Sequence, residues 1–161
     1  MARVFLSLGS NLGDRAANLN AALEQIRRLP RTRITRMSKV YETAPWGVES
    51  QAQFLNMAVE VDSGLGPYEL LRECKGIEKR SGRDPGPRWS ARTIDIDILL
   101  FEGVQLDTPE LSIPHPLMSE RAFVLIPLSE IAPDAVLPDG SRVEDLARQA
   151  QGEVRVYGGI P

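Results

Sequence analysis

Several residue types that mark particular classes of protein are scarce in this sequence. Its 161 residues include one cysteine, Cys74, and one histidine, His115. A single cysteine excludes a disulfide framework, and the lack of a second histidine argues against a zinc site. Because Cys74 falls on the apolar stripe of a predicted helix, a buried, inert thiol is favoured over a nucleophile. This cysteine usage fits a reducing compartment, and we expect the chain to be cytoplasmic.

Long hydrophobic runs and an excess of positive charge are also missing. The first apolar run, Val4 to Leu8, is broken by Ser7 and is too short for a signal sequence, and no other stretch approaches the length of a membrane span. Lys and Arg number 19 against 22 Asp and Glu, which gives a formal net charge of -3. We therefore expect no membrane and no nucleic-acid partner, and any polyanionic ligand must be bound by a local cluster of cations.

The sequence contains enough hydrophobic residues for one core. Hydrophobic residues make up 42% of the chain, which suffices for a domain of this length without disulfides or oligomerisation. No internal repeat, linker or low-complexity segment divides the sequence. We expect a single domain over residues 1–161 and a monomer.

Apolar periodicity predicts an alternation of strands and helices. One helix is capped by Asp14 and closed by Pro30, and a second runs from Pro67 to a C-terminal cap at Gly82. The strands are predicted over Arg3–Leu8, Thr32–Glu42, Phe54–Val61 and Thr93–Phe101. This β-α-β-β-α-β order is typical of an α+β, ferredoxin-like fold, with both helices on one face of an antiparallel sheet.

The other face of the predicted sheet needs further elements to cover it. After Glu102 a hairpin return leads into a proline-punctuated region, Pro109 to Pro138, followed by the one clear regular element of the tail, an amphipathic helix over Val143–Ala150. We expect this tail to complete the same domain and to cover part of the second face. The segments 43–52 and 82–92 are predicted to be irregular loops.

Asp95 and Asp97 lie on the most apolar predicted strand. On a strand they point the same way, with about 6.6 Å between their Cα atoms, while Ile94, Ile96 and Ile98 point into the core. Two aligned carboxylates suit magnesium, which accepts one or two carboxylates together with substrate phosphates. The alternative is an amphipathic strand with a solvated face, which an isolated Asp-x-Asp pair would favour.

Arginines cluster just before this strand, in a chain that is acidic as a whole. Guanidinium groups match phosphate oxygens in a way that lysine cannot, and nearby glycines and prolines would let the loop fold over a ligand. Such a loop and the carboxylates are the two halves of a phosphoryl-transfer site, although a solvated basic loop is the alternative. No Walker A sequence is present, and residues 9–13 are interpreted mainly as a tight turn. The arginines are Arg80, Arg83, Arg88, Arg92 and, later, Arg121.

The strand Phe54–Val61 indicates a flat heterocyclic partner. Phe54 and Asn56 share one face of it, as an aromatic surface and as an amide able to pair with the edge of a heterocycle. Ordinary core packing of Phe54 is the alternative. His115, between two prolines, is more often structural than functional as a lone histidine.

Six short motifs occur in order along nearly the whole chain. They are Gly9-Ser10-Asn11-Leu12-Gly13, Tyr41-Glu42-Thr43-Ala44-Pro45, Phe54-Leu55-Asn56, Arg88-Trp89-Ser90-Ala91-Arg92-Thr93-Ile94-Asp95-Ile96-Asp97-Ile98-Leu99, Ile113-Pro114-His115 and Glu130-Ile131-Ala132-Pro133. Together they resemble the 6-hydroxymethyl-7,8-dihydropterin pyrophosphokinase family. The segment from Arg88 to Leu99 is highly specific to that family, whereas the first motif alone would be weak.

The resemblance implies a transferase that moves diphosphate from ATP to the hydroxymethyl group of 6-hydroxymethyl-7,8-dihydropterin and releases AMP, in folate biosynthesis. It implies that Asp95 and Asp97 bind two Mg²⁺ ions bridging the ATP phosphates. It further implies that Arg83 and Arg92 act catalytically, by stabilising the diphosphate in transfer.

The resemblance also implies which residues line the two substrate sites. Phe54 and Phe123 would stack on either side of the pterin, and loops carrying Trp46 and residues 83–89 would close over the substrates. The pterin-side residues are Thr43, Ala44, Trp46, Phe54, Asn56 and Phe123. The ATP-side residues are Lys75, Glu78, Arg88, Trp89, Ile98, Ser112, His115 and Arg121.

Some positions depart from the family pattern. Pro85 stands where members commonly have a second arginine, so closure over ATP is expected to rely more on Arg88 or Lys75. Glu110 stands where some members carry an arginine towards ATP, and Pro116 stands where some carry an aromatic residue.

Three other functions share parts of the pattern. A nucleic-acid-binding module on the same fold would need aromatic residues on the central strands and a basic face, to which Phe5 and Phe54 are a poor match. A small-molecule-sensing regulatory domain without catalysis would not need the paired aspartates. A metal-dependent nuclease would share the aspartates but has no use for a pterin slot.

Overall fold

The computed structural model describes residues 1–43, 53–82 and 93–158. Its strands are β1 (Ala2–Ser10), β2 (Thr32–Met37), β3 (Val40–Thr43), β4 (Phe54–Ser63), β5 (Asp95–Phe101), β6 (Leu106–Asp107), β7 (Ser112–Ile113) and β8 (Val154–Gly158). Its helices are α1 (Arg15–Arg27), α2 (Pro67–Arg80), α3 (Ala122–Ile131) and α4 (Val143–Gln149), with a 3₁₀ turn at Met118–Glu120. None of the helices in these ranges is long and apolar enough to cross a membrane. The two predicted loops fall almost wholly outside the described residues.

Six of the strands form one antiparallel sheet. Its order is β5-β1-β4-β3-β8, and β2 also pairs with β4. Strand β1 lies between β4 and β5 and pairs with both along most of its length. With α1 and α2 packed against it, this sheet is the predicted α+β, ferredoxin-like core, which is confirmed. A separate ladder joins β6 to β7.

The face of the sheet that carries α1 and α2 holds the larger core. Alternate residues of β1, β4 and β5 point towards the helices, as the period of two in the sequence predicts. The strands contribute Val4, Leu6, Leu8, Leu55, Met57, Val59, Val61, Ile94, Ile96 and Ile98. The helices contribute Leu19, Ala22, Leu23, Ile26, Leu70, Cys74 and Ile77.

The C-terminal tail covers part of the second face, as expected. Phe5, Ala58 and Leu99 point to this side of the sheet and join a second buried cluster. Helix α3 adds Val124 and Leu128 to that cluster, and α4 adds Val143. The sheet is therefore buried on both sides over this half of its length.

Two elements of the tail were not predicted. Helix α3 lies inside the region that was interpreted as irregular, and β8 follows α4 and pairs with β3. The α3 sequence, AFVLIPLSEI, is apolar on nearly every side and contains Pro127, so it shows no helical alternation and suggests a break. It forms a helix because burial on the second face compensates for the lost hydrogen bond.

The predicted strand Thr32–Glu42 is two strands in the structure. Both β2 and β3 pair with β4, and Ser38 and Lys39 separate them. The Ser38 N–H donates to Ala58 O at 2.9 Å, and Ser38 Oγ accepts from the Ala58 N–H at 2.9 Å. The interruption therefore leaves the facing backbone groups of β4 paired.

The predicted helix ends agree with the structure. The Asp14 carboxylate caps α1 by accepting from the Ala17 N–H at 3.1 Å, and Pro67 is the first residue of α2. Gly82 follows the end of α2 with a φ of 85°, a conformation that glycine adopts without strain.

Cys74 should be unreactive in the folded protein. Burial, and then the charge of Glu78, raises the pKa of its thiol from 9.0 to about 12. The reactive thiolate is therefore scarce at about pH 8, and the sulfur is enclosed between α2 and the sheet. We expect a colorimetric thiol reagent to modify Cys74 only after unfolding in guanidinium. Stoichiometric modification of the native protein within minutes would contradict this packing of α2.

Candidate functional site

One row of paired residues crosses the sheet beyond the second core. Gly9 on β1 pairs with Asn56 on β4 and with Asp95 on β5, and Asn56 pairs in turn with Tyr41 on β3. Directly paired residues of an antiparallel sheet point to the same face. The register therefore places the predicted pterin-binding amide and a predicted metal carboxylate on one face, on either side of a glycine.

Asp95 and Asp97 project from β5 on this face. Both are half-buried, and they alternate with the buried Ile94, Ile96 and Ile98, as predicted. Within the described ranges, no group of three or more His, Cys, Asp or Glu could hold a metal ion. A pair of carboxylates that leaves its other positions to water and phosphate oxygens is a common way of binding magnesium.

A buried carboxylate on α2 holds the strand that carries these aspartates. Glu78 is 2% exposed, and its Oε2 accepts a hydrogen bond from the Ile96 N–H at 2.8 Å. Because β5 is at the edge of the sheet, this N–H points away from β1 and needs a partner of another kind. Lys75 Nζ lies 3.4 Å from Glu78 Oε1 and offsets its charge. Glu78 thus anchors the backbone between the two aspartates.

The carboxamide of Asn56 occupies the space that a side chain at Gly9 would fill. A Cβ added at Gly9 would lie 2.8 Å from Asn56 Oδ1, closer than real Cβ atoms come to a neighbour. Asn56 is 4% exposed, and its Nδ2 has no hydrogen-bond partner among the described residues. An unpaired buried donor costs about 1–3 kcal/mol. A ligand that supplies an acceptor would satisfy this donor.

Aromatic side chains accompany this amide. Phe54 points to the same face of β4 as Asn56 and pairs with Thr43 on β3. Phe123 lies in the first turn of α3, the helix that packs on β4 from this face. Both phenylalanines are half-buried, and the Arg121 guanidinium lies 5.6 Å from the centre of the Phe123 ring. The structure therefore brings Thr43, Phe54 and Asn56 together on paired strands, beneath the helix that carries Phe123.

The last turn of α3 is fastened to β3. Glu130 Oε1 accepts from Tyr41 Oη at 2.6 Å, and both carboxylate oxygens accept from the Lys39 N–H at 3.1 Å. Burial, and then the hydrogen bond and charge of Glu130, raises the pKa of Tyr41 far above its usual range. Arg36 adds a hydrogen bond to Ile131 O at 2.9 Å. The helix that presents Phe123 is thus held to the sheet at its C-terminal end.

His115 lies close to Asp97 and Arg121. The backbone N–H of His115 donates to Leu99 O at 3.0 Å, and the ring Nδ1 accepts from the Leu117 N–H at 3.3 Å. Burial chiefly lowers the pKa of His115; the charge of Asp97 acts against this shift and that of Arg121 adds to it. The imidazole is therefore neutral at about pH 7 and carries its proton on Nε2. The structure therefore brings together His115, Asp97 and Arg121, which were predicted separately.

Ser112 lines a pocket of about 400 Å³ over the β6-β7 ladder. Its Oγ donates to Asp107 Oδ1 at 3.4 Å, and the pocket extends to the prolines on either side of His115. The lining residues are Gln105, Leu106, Asp107, Ser112, Ile113, Pro114 and Pro116.

The remaining predicted residues fall into two groups. The side chain of Ile98 is 3% exposed in the core beneath α2, so a ligand at the sheet edge could meet only its main chain. Lys75 is on α2, paired with Glu78 on that same side. The others lie outside the described residues: Ala44, Trp46, Arg83, Arg88, Trp89 and Arg92.

Gly9 is a candidate site residue that the sequence pattern alone does not reveal, because residues 9–13 have the composition of a tight turn. The structure places Gly9 in the last part of β1, beside Asn56. The available signal was a glycine inside an alternating strand, where close approach of another group is a usual cause. Its partner could not be read from the sequence.

Comparison with known sequences identifies close relatives. Residues 5–133 match the model of the family described as 7,8-dihydro-6-hydroxymethylpterin-pyrophosphokinase (HPPK). A 2-amino-4-hydroxy-6-hydroxymethyldihydropteridine pyrophosphokinase of Methylorubrum extorquens is 47% identical over 148 residues, covering 92% of this chain and 94% of the relative. The protein of the same name from Bacillus subtilis is 48% identical over 127 residues, covering 79% of this chain and 76% of the relative.

Solved structures share the fold at low sequence identity. A wild-type HPPK-DHPS of Plasmodium falciparum with SDX-DHP has a TM-score of 0.69 at 18% identity, and an HPPK-DHPS in complex with substrates has a TM-score of 0.72 at 14% identity. Each match covers 92% of this chain. The chain spans 43% and 45% of those two chains, which are therefore more than twice as long.

Replacing Gly9 by alanine should destabilise the protein through Asn56. The new methyl group must displace the buried carboxamide, and overpacking of this kind typically costs about 1–3 kcal/mol. Gly76→Ala is the matched control, because a Cβ there would meet only the end of the flexible Arg80 side chain, with Arg80 Nη1 at 3.1 Å. Urea unfolding measures both free energies. Equal stability of the two variants would contradict the close approach at Gly9.

Proposed function

Since the chain belongs to the 7,8-dihydro-6-hydroxymethylpterin-pyrophosphokinase family, we propose that it transfers diphosphate from ATP to 6-hydroxymethyl-7,8-dihydropterin and releases AMP. It is an ATP-dependent diphosphotransferase of folate biosynthesis. The observation that supports this most directly is the pairing of Gly9 with both Asn56 and Asp95. It brings a group suited to a pterin edge next to a group suited to a phosphate-bound metal.

The pterin site is proposed at the Asn56 end of this row. The unpaired Nδ2 of Asn56 would donate to the pterin edge, and its Oδ1 would accept from a ring N–H or amino group. Phe54 and Phe123 would stack on the two faces of the ring, and the backbone at Thr43 would read the edge further. Ala44 and Trp46 are proposed to complete the site.

Magnesium is proposed at Asp95 and Asp97. Their carboxylates fit the ion, since both project from one strand face and lack the additional protein ligands of a closed site among the described residues. Two ions, with ATP phosphates as shared ligands, are the proposed occupancy. Bound magnesium would supply neutralisation of the phosphate charge. Glu78 would keep the two aspartates in register by holding the Ile96 N–H between them.

ATP is proposed to lie along β5 and the segment around His115. The neutral His115 would donate from Nε2 to a phosphate or ribose oxygen, and Arg121 would bind phosphate through its guanidinium. Ser112 and the main chain of Ile98 would contact the nucleoside, with Lys75 and Glu78 at the margin of the site. Arg88 and Trp89 are proposed on the same side.

The chemistry is proposed to depend on positioning rather than on a general base. The pterin hydroxymethyl oxygen would form a bond to the β-phosphorus and release its proton to water, while the bond from that phosphorus to the α-phosphate oxygen breaks and AMP leaves. Arg83 and Arg92 are proposed to bind the migrating diphosphate, whose charge shifts during transfer. Holding the hydroxyl at near-attack distance can supply about 7–11 kcal/mol of the barrier.

We also propose the domain organisation, the partners and the location of the protein. Residues 1–161 would act as one monomeric domain, with ATP and the pterin as its partners and no nucleic-acid or membrane partner. The net charge of -3 and the single buried cysteine support this and a cytoplasmic location.

An assay of AMP release tests the proposal. We expect the purified chain with ATP and Mg²⁺ to form AMP only when 6-hydroxymethyl-7,8-dihydropterin is added. The amounts of AMP and of pterin diphosphate formed should be equal. Pterin binding without AMP would identify a binding module, and AMP formation that ignores the pterin would also overturn the proposal.

Asp97→Ala should abolish transfer while leaving the protein folded. The change removes a proposed metal ligand from the site face and leaves the isoleucines of β5 in the core. Asp62→Ala is the matched control, because Asp62 is a strand aspartate paired with Arg33 at 3.5 Å. Near-normal turnover of Asp97→Ala, with unchanged magnesium dependence, would exclude Asp97 as a ligand.

Phe123→Ala should weaken pterin binding far more than nucleotide binding. One face of the pterin would lose its stacking partner, and base–aromatic stacking is worth about 1–3 kcal/mol. Calorimetric titration with the pterin and, separately, with a non-hydrolysable ATP analogue gives both affinities. Equal losses for the two ligands would instead show that Phe123 supports the fold of α3.

A further inference from the structure

Arg15, in the first turn of α1, bridges two strands at the end of the β3-β4 ladder. Its Nη1 lies 2.9 Å from Glu42 Oε2 and donates to Gln53 O at 2.6 Å. Arg155 on β8 reaches the same two residues, with its Nη2 3.4 Å from Glu42 Oε1 and 3.2 Å from Gln53 Oε1. Both arginines therefore contact the Glu42 carboxylate, while Arg15 alone binds the Gln53 backbone carbonyl and Arg155 binds the side-chain oxygen of Gln53.

The two residues held in this way are the direct neighbours of two proposed pterin residues. Glu42 precedes Thr43 and Gln53 precedes Phe54, and Thr43 pairs with Phe54 as the last pair of the ladder. Side chains alternate along a strand, so Glu42 points towards α1 while Thr43 and Phe54 point to the site face. Arg15 thus acts on the ladder from the α1 side, behind the proposed pterin site.

The contacts of Arg15 are suited to fixing geometry. Its side chain is 22% exposed and that of Glu42 is 21% exposed, so neither is a fully solvated group. A planar guanidinium that contacts a carboxylate and a main-chain carbonyl at once restricts the separation of the two strands. Partly exposed ion pairs contribute little to stability. The effect of Arg15 should therefore appear in the position of Thr43 and Phe54 more than in the stability of the fold.

We propose that Arg15 is a positioning residue for the pterin site, which sets the spacing of Thr43 and Phe54 through Glu42 and the Gln53 carbonyl. The proposal rests on the proposed function, because it assigns a role towards the pterin. It distinguishes the pterin side from the nucleotide side, since the contacts of Arg15 with described residues are to Glu42, Gln53 and the Tyr157 ring, and not to β5 or the segment around His115.

Arg15→Gln tests this role. We expect the KM for the pterin to rise about tenfold, because a shift of Thr43 and Phe54 by a fraction of an ångström disturbs the groups that bind the pterin. The kcat and the affinity for a non-hydrolysable ATP analogue should change less than about twofold. Arg27→Gln is the matched control, because it removes an ion pair with Glu24 at 2.5 Å from the other end of the same helix. That variant should keep the wild-type KM for the pterin.

Glu42→Ala is the second variant and removes the carboxylate that Arg15 holds. It should raise the KM for the pterin in the same direction, and the double variant should lose less than the product of the two single effects, because the residues act through one contact. Thermal unfolding of every variant identifies losses that come from folding. Arg15→Lys keeps the charge but lacks the rigid guanidinium that places Nη1 against both oxygens, and it should recover only part of the affinity.

The outcomes separate the two proposals. A wild-type chain that forms AMP with the pterin, together with an unchanged pterin KM in Arg15→Gln, would overturn the positioning role alone. Equal loss of pterin and ATP-analogue affinity, or a loss matched by Arg27→Gln, would also overturn it. A wild-type chain that neither binds nor converts the pterin would overturn the positioning role and the proposed function together.

Discussion

The candidate site depends on the pairing of β1 with β4 on one side and with β5 on the other. Because side chains alternate along each strand, the register that sends Leu8 and Ile96 into the helical core sends Asn56 and Asp95 to the opposite face. A slip of one residue would exchange the two sets. The buried isoleucines around the aspartates therefore hold the site in place, although they contact no ligand.

Elements on both sides of the sheet support this arrangement. From the α2 side, Glu78 binds the free edge of β5 at Ile96. From the opposite side, α3 contributes apolar side chains to the second core and is tied to β3 by Tyr41 and Glu130. The same helix presents Phe123. Because this helix closes a core and also carries Phe123, it couples the stability of the second face to the geometry of the proposed pterin site.

The sequence predicted the parts of the fold whose residues alternate in polarity. The alternation of Ile94, Ile96 and Ile98 with the aspartates predicts β5 and its two faces. Helix α3 is not predicted, because a helix buried on most sides has no polar stripe and because Pro127 suggests a break. Site residue types followed from the motifs and the family resemblance. Their arrangement required the fold, since the close approach of Gly9 to Asn56 arises from strand pairing. The roles of Arg83 and Arg92 stay predictions.

The central claim is that the aspartates proposed to bind metal and the amide proposed to bind the pterin lie on one face of the sheet, on either side of Gly9. Manganese can replace magnesium at oxygen ligands and broadens the nuclear magnetic resonance signals of nearby groups. With a non-hydrolysable ATP analogue and Mn²⁺, the account predicts broadening of the Gly9 amide and the Asn56 side-chain amide. The amide of Gly64, just beyond the other end of the β1-β4 ladder, should stay sharp. Broadening at Gly64 with unaffected signals from Gly9 and Asn56 would contradict the account.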